Sequence, residues 1–148
     1  MFNDKIKFSG TLNLKLTDSD NKEKFNYTYN NLVVSTGINY IISRMVSNTS
    51  TLMSSIGVGL GSSIPTSNNS TLQSEIYRVP LQGSLASANT ATFAANFPPG
   101  AGTGPLREAA IFNSTSANSG TMLCRTVFPE LNKEGGDTLV ITWKVSGE

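Results

Sequence analysis

The chain has 148 residues, of which 14% are charged and 38% are apolar, and its formal net charge is +1. This length corresponds to one domain, and the near-neutral charge argues against a nucleic-acid-binding surface. No apolar run approaches the roughly 18 residues of a membrane-spanning helix, and the first ten residues lack the apolar core of a secretion signal. The single cysteine, Cys124, excludes an internal disulfide. We therefore expect a soluble chain made in a reducing compartment.

The N-terminal part of the chain reads as a long antiparallel hairpin. Apolar residues occupy alternate positions from Lys5 to Thr17, and a polar turn follows at 18–24. A second alternating run then begins at Phe25, as expected for two half-buried strands. We divide the single domain, 1–148, into this N-terminal hairpin (1–30), a possible attachment arm, and the body of the domain (31–148).

One helix is predicted after the hairpin, at about Thr36 to Val46. Ser35 or Thr36 is a suitable N-cap residue. Apolar residues then recur at spacings of three and four, which predicts a helix packed against one sheet: Ile38, Ile41, Ile42 and Met45. An acidic substitution at Ile42 is therefore expected to place a charge in the core and prevent folding.

The middle of the chain contains alternate glycines in the stretch "SIGVGLGSS". No GK[ST] follows and the spacing is not GxGxxG, so a phosphate-binding loop is disfavoured. A strand that another part of the chain approaches closely is the better interpretation. Residues Leu72 to Arg78 suggest a single helical turn, and Pro80 assigns Val79 to Leu85 to a weak edge strand.

The chain ends on its most regular strands, from Gly120 to Ser146. Apolar residues alternate with polar ones here, and they share one face of the last strand: Leu139, Ile141, Trp143 and Val145. We expect Trp143 to anchor this strand between earlier ones. The whole pattern predicts a mainly β fold, an antiparallel two-sheet, jelly-roll-like β-sandwich of about seven or eight strands with one short α-helix.

Side chains that commonly perform catalysis are scarce. The chain has no histidine, which removes the usual general base and the commonest metal ligand. Cys124 lies within a strand pattern and is interpreted as a small buried hydrophobe rather than a nucleophile.

Two acidic turns are the remaining candidates for a metal site. The first turn contains Asp18, Asp20 and Glu23, and it lacks the glycine and terminal glutamate of a calcium loop. The second turn contains Glu130, Glu134 and Asp137. It is interleaved with Lys133 and is interpreted as a solvated hairpin tip. We predict no catalytic, cofactor-binding or metal site, and no enzyme activity.

Three charged residues lie within apolar stretches: Arg78, Glu108 and Arg125. Buried charges are tolerated only when they are paired. Two interpretations stay open at this point. Either all three side chains point outward, or Glu108 forms a partly buried pair with Arg78 or Arg125 that fixes strand register or an edge contact.

The order of motifs resembles a family of small virion structural proteins from tailed bacteriophages. The matching segments run from Asn31 to Val145 and read "NLVVSTGINYIISRM", "IGVGLGSSIPTSNNSTLQSEIYR", "TATFAANFPPGAGTGPLREAAIFN" and "GTMLCRTVFPELNKEGGDTLVITW". The last of them is similar to the family's closing "RTVF…NK…DTLxITW" hairpin. Ala110 stands where the family often has glycine, and Cys124 where it often has alanine.

The resemblance implies a component of the virion that is made in the bacterial host cytoplasm. A domain without a shaft or repeat suits a capsid decoration protein, which would bind the major capsid protein. The alternative is a tail- or fibre-associated component, including a receptor- or glycan-binding tip. We expect neither nucleic acid nor membrane as a partner. Copies are expected to associate with each other or with virion proteins through the hairpin 1–30.

Overall fold

The computed structural model describes residues 4–148, and 52% of these residues lie in strands. Within the described range, nine strands and one helix follow each other. Their bounds are β1 (Phe8–Thr17), β2 (Glu23–Val33), α1 (Ser35–Arg44), β3 (Ser55–Gly59), β4 (Glu75–Pro80), β5 (Gly83–Ser87), β6 (Thr90–Phe97), β7 (Gly104–Phe112), β8 (Met122–Lys133) and β9 (Thr138–Gly147). The predicted mainly β class with one short helix is confirmed. The strand expected at Val79 to Leu85 is two strands, and Leu72 to Arg78 is not helical, because β4 begins at Glu75.

The nine strands form one antiparallel sheet in the order β4-β3-β7-β8-β2-β1-β9-β6-β5, curled into a half-barrel. Strand β2 joins the two halves of the sheet. Most of β2 pairs with β1, whereas Leu32 and Val33 pair with Arg125 and Cys124 of β8. Because one strand is shared, the sheet is continuous, and the two separate sheets expected from the sequence are not confirmed.

The concave face of the sheet encloses the main core. Apolar side chains of β1, β6 and β9 belong to the same cluster as those of β3, β7 and β8. Trp143 of β9 and Ile111 of β7 are examples from the two groups of strands. Trp143 lies on β9 between β1 and β6, with Leu12 and Phe93 as its cross-strand neighbours, and it is 0% exposed. The prediction that Trp143 anchors an inserted terminal strand is confirmed.

The N-terminal hairpin is present, but it is not an arm. Strand β1 pairs with β2 on one side and with β9 along its whole length, from Phe8 to Thr17, on the other. Its alternate residues Leu12, Leu14 and Leu16 are buried in the main core. Strand β1 is therefore an inner strand of the sheet, and the hairpin shares one sheet and one core with the rest of the described domain.

Helix α1 packs through a different face from the one predicted. Its one fully buried residue is Gly37, which lies against the backbone of Leu123 so closely that a Cβ atom would collide with the carbonyl group. Tyr40 and Ile41 are partly buried against the core. Ile42 is 50% exposed, so the predicted contact of Ile38, Ile42 and Met45 with the sheet is wrong.

The start of α1 also differs from the expectation. The N-cap residue is Val34, which makes no side-chain capping bond. Thr36 Oγ1 instead donates to the carbonyl of Met122 on β8, and the Ser35 N–H donates to the carbonyl of Ser67. The two hydroxyl residues expected to cap the helix therefore lie within its first turn, where they bond to Met122 of β8 and to Ser67 and fix the helix in place.

Candidate functional site

Glu108 and Arg125 form an ion pair buried on the convex face of the sheet. Arg125 donates to Glu108 Oε2 from Nε at 3.1 Å and from Nη2 at 2.9 Å. Both side chains are at most 1% exposed. Of the two interpretations left open by the sequence, the buried pair is correct, and the partner is Arg125.

The same carboxylate anchors a polar loop over this face. We call residues 61–74 the outer loop. Glu108 Oε1 accepts hydrogen bonds from the backbone N–H groups of Gly61 and Ser74, and Oε2 accepts one from Gln73. Arg125 also donates to the carbonyl of Ser63. Burying a charged pair is costly, and here the cost is offset because nearly every polar atom of the pair has a partner.

Glycines make this close approach possible. A Cβ atom at Gly59 or Gly61 would collide with atoms of the outer loop and with Glu108. Gly57 faces Leu72 and Phe112, which belong to a second apolar cluster on the convex face. The prediction that the alternate glycines admit a neighbouring segment is confirmed. Both faces of β7 are therefore covered, which explains an acidic residue within a buried apolar strand.

Arg78 has a different acidic partner, Glu75 of the same strand. Its Nη2 lies 2.6 Å from Glu75 Oε1, and its Nε donates to Oε2 at 3.0 Å. Arg78 also lies over the ring of Phe112 and donates to the carbonyls of Ser114 and Ser119. This arginine holds the β7–β8 loop against the convex face.

The first acidic turn uses its carboxylates to shape the chain. Asp18 Oδ1 accepts hydrogen bonds from the backbone N–H groups of Asp20 and Lys22, both at 2.9 Å. Glu23 accepts one from the side chain of Asn26. Within residues 4–148, no three acidic, cysteine or histidine side chains converge in a way that would hold a metal ion.

The second acidic turn is only partly the solvated tip that was expected. Glu130 pairs with Arg107 at the surface, but Asp137 is buried, and its Oδ2 lies 2.7 Å from Lys24 Nζ. Burial raises the pKa of the Asp137 carboxyl, yet hydrogen bonds from Lys24 and from the Glu134 N–H outweigh it and leave the pKa below its usual value. The pair ties β2 to the turn between β8 and β9.

Two further buried groups fit structural roles. Cys124 is a free, fully buried thiol on β8, and burial raises its pKa well above the usual value, which opposes formation of the reactive thiolate. Its placement as a small residue of the core is confirmed. Lys133 donates from Nζ to the carbonyl of Pro98, and burial lowers its pKa. Sequence reasoning did not single out Lys133 as buried, because its neighbours are polar.

An apolar groove opens at one end of the half-barrel. It has a volume of about 440 Å³ and lies between α1 and the strands β5, β6 and β9. Tyr40, Leu52, Ala86 and Phe93 are among the residues that line it, and none of the described lining residues is acidic or basic. Its size is that of ligand-binding clefts, and its lining suits apolar side chains rather than a charged molecule.

Helix α1 presents a second apolar feature to solvent. We call Ile38, Ile42, Met45 and Val46 the α1 stripe. Ile38 and Ile42 are spaced as i and i+4 on one side of α1, Met45 and Val46 follow in the turn at its C-terminal end, and all four are exposed. The apolar face predicted from the sequence comprised Ile38, Ile41, Ile42 and Met45; of these only Ile41 packs against the core, because the spacing does not reveal which surface covers it.

The two ends of the sheet differ in charge. Strand β4 carries Glu75 and Arg78 and ends on Pro80, whereas all five residues of β5 are exposed and none is charged or a proline.

Among the residues described, no helix has the length and apolar character needed to cross a membrane. Comparisons with protein-family models, curated proteins and solved structures find no match to this chain.

Proposed function

We propose that this chain is a non-enzymatic structural protein of a tailed-bacteriophage virion and acts as a capsid decoration protein through protein–protein contacts. The order of motifs between residues 31 and 145 supports the phage assignment through the resemblance described above. The observation that carries the proposed mode of action is the α1 stripe. The location that follows is the virion, after synthesis in the host cytoplasm.

The α1 stripe supports a docking role because exposing adjacent apolar side chains to water is unfavourable unless a partner covers them. Met45 is 75% exposed and Val46 is 89% exposed. Contiguous apolar residues on a monomer surface mark interaction sites. The helix is held rigidly by Gly37 and Thr36, so the stripe is presented in one orientation. A capsid shell protein with an apolar depression is the partner that this surface fits.

The packing of the sheet supports a rigid particle component. We also infer that the two halves of the curled sheet act as the two layers of a sandwich, because their concave faces share one core. Nucleic acid and membrane are not proposed as partners, since a net charge of +1 offers no broad basic surface for the phosphate groups of nucleic acid or of anionic lipids.

The test is the number of copies in purified particles, measured by quantitative mass spectrometry. Hundreds of copies per particle are expected for a capsid decoration protein. The Ile42→Asp variant should fold yet be missing from particles, because the charge falls within the docking stripe. Ala117→Asp adds the same charge to an exposed loop and should be incorporated normally. Absence of the wild-type protein from particles would overturn the proposal.

A second candidate function is a tail- or fibre-associated component with a receptor- or glycan-binding tip. The anchoring of the outer loop by Glu108 and Arg125 favours it, since binding residues are commonly carried on loops held by a rigid scaffold. A few to a few dozen copies per particle would select this candidate over the first.

A further inference from the structure

Strand β5 is an exposed sheet edge without the usual protection. It is the last strand of the sheet, and among residues 4–148 no strand pairs with its outer side. Natural proteins protect such edges with charge, proline, bulges or covering segments. The β4 edge ends on a proline, Pro80, whereas Gly83–Ser87 contains neither a proline nor a charged residue. Leu85, at the centre of β5, is 68% exposed.

The sequence of β5 is suited to pairing with itself. In an antiparallel pair centred on Leu85, that residue lies opposite Leu85 of a second copy. Ser84 then lies opposite Ala86, and Gly83 lies opposite Ser87. No like charges meet, every side chain beside Leu85 is small, and a Leu–Leu pair is the kind of cross-strand contact that stabilises sheets.

We propose that two copies of this chain associate by two-fold antiparallel pairing of their β5 strands. The proposal deepens the function proposed above, on which it rests for its role in the particle, by naming the surface of self-association. Paired strands belong to one sheet, so their concave faces lie on the same side. Ser84 and Ala86 line the apolar groove, and pairing therefore joins the grooves of the two copies into one continuous apolar trough.

The expected affinity is low. A five-residue strand pair covers less area than the roughly 1,000 Å² of a stable interface, so we expect a dissociation constant on the order of 100 μM. Such a contact acts when many copies are held on a repeating particle surface, where weak contacts sum. The uncharged edge is complementary to itself, whereas an edge with charge would repel its copy.

Sedimentation equilibrium of the purified chain tests the dimer. Leu85→Lys and Leu85→Glu should each weaken dimerisation at least about tenfold, because like charges meet at the two-fold axis. An equimolar mixture of the two variants should recover it, because opposite charges then face each other. A wild-type chain that stays monomeric up to about 1 mM, or a mixture that does not associate, overturns the proposal.

Crosslinking tests the register. Directly opposite residues of an antiparallel pair have Cα atoms about 4.5–5.5 Å apart, which suits a disulfide. With oxidised glutathione as oxidant, Leu85→Cys should therefore form a covalent dimer. Ser84→Cys should not, because its partner position is Ala86. Equal crosslinking of both variants would contradict the proposed register, and Cys124 does not interfere because it is buried.

A particle assay separates this inference from the proposed function. Met45→Lys alters the α1 stripe and should leave the dimerisation constant unchanged while removing the protein from particles. A wild-type chain that dimerises through β5 but never enters particles would overturn the virion function and leave the β5 dimer intact. If the wild-type chain never dimerises in solution, while both it and Leu85→Lys enter particles normally, the β5 dimer would be overturned and the virion function would be left intact.

Discussion

The carboxylate of Glu108 and the guanidinium of Arg125 meet on the convex face of the sheet, 2.9 Å apart, although the two residues belong to cross-strand pairs that lie two positions apart along the ladder. Glu108 lies opposite Val127, and Arg125 lies opposite Ala110. The small side chain of Ala110 leaves room for the arginine to reach along the strand. The pair therefore joins β7, β8 and the outer loop in one hydrogen-bonded unit.

Breaking this pair should strongly destabilise the protein. Glu108→Gln and Arg125→Met each leave one buried charge without its partner, and the expected loss is about 3–5 kcal/mol of unfolding free energy in urea denaturation. The double variant should cost less than the sum of the two, because no uncompensated charge remains. Single variants that cost under about 1 kcal/mol would show that the pair is solvated.

Replacement of Trp143 should lower the free energy of unfolding because side-chain volume is lost from the core, rather than because a hydrogen bond is lost. Trp143→Ala removes a fully buried side chain from the middle of the sheet, and we expect a loss of about 3–5 kcal/mol. Within residues 4–148 its indole N–H has no hydrogen-bond partner, so Trp143→Phe should cost much less. Thermal unfolding of both variants checks this, and an unchanged melting temperature for Trp143→Ala would contradict it.

A glycine in the helix should resist replacement by alanine. Alanine normally stabilises a helix interior relative to glycine by about 1 kcal/mol. At Gly37 the added Cβ meets the backbone of Leu123, so Gly37→Ala should instead destabilise by about 1–3 kcal/mol. Asn39→Ala, an exposed change in the same helix, is the control and should stay within about 0.5 kcal/mol of wild type. A stabilised Gly37→Ala variant would mean that the helix does not pack here.

The buried carboxyl of Asp137 should make stability depend on acid. The pKa of Asp137 is lower in the folded chain than in the unfolded chain, where it is about 4. The ionised carboxylate therefore stabilises the fold fully above the unfolded-state pKa, and this stabilisation is lost as the pH falls through the folded-state pKa. The difference in unfolding free energy between wild type and Asp137→Asn should therefore be full at pH 7 and shrink in acid.

Urea denaturation at several pH values measures this difference. Glu130→Gln removes an exposed partner of Arg107 and serves as the control, with little effect at any pH. A difference for Asp137→Asn that stays constant from about pH 7 to pH 2 would contradict the assignment of the pair with Lys24.

The alternation of apolar residues was sufficient to predict β1, β6 and β9 and the position of Trp143. It was sufficient there because one face of each of these three strands is buried, and a slip of one residue would exchange the faces. It did not predict the continuous sheet, since continuity depends on the pairing of only Leu32 and Val33 with β8. Two backbone pairings leave no recognisable pattern in side-chain polarity.

The helix shows a second limit of pattern reasoning. Its stripe has the spacing of a core-facing surface, but the contact with β8 is made by Gly37, which has no side chain to contribute to any pattern. The partner of Glu108 could not be predicted either. Irregularities in the β7–β8 ladder after Leu106 and after Ile111 determine which charged residues fall on the same face.

The anchoring of the outer loop also determines how freely this protein can vary. Glu108 holds the loop through the backbone N–H groups of Gly61, Gln73 and Ser74, and backbone groups are present whatever the side chain. The segment 64–68 lies between these anchors and contributes none of the bonds to Glu108 or Arg125. Its side chains can therefore be exchanged by natural variation, and a foreign peptide for display can be inserted before Thr66, without loss of these anchors and without displacing the Ser67 carbonyl that accepts the Ser35 N–H.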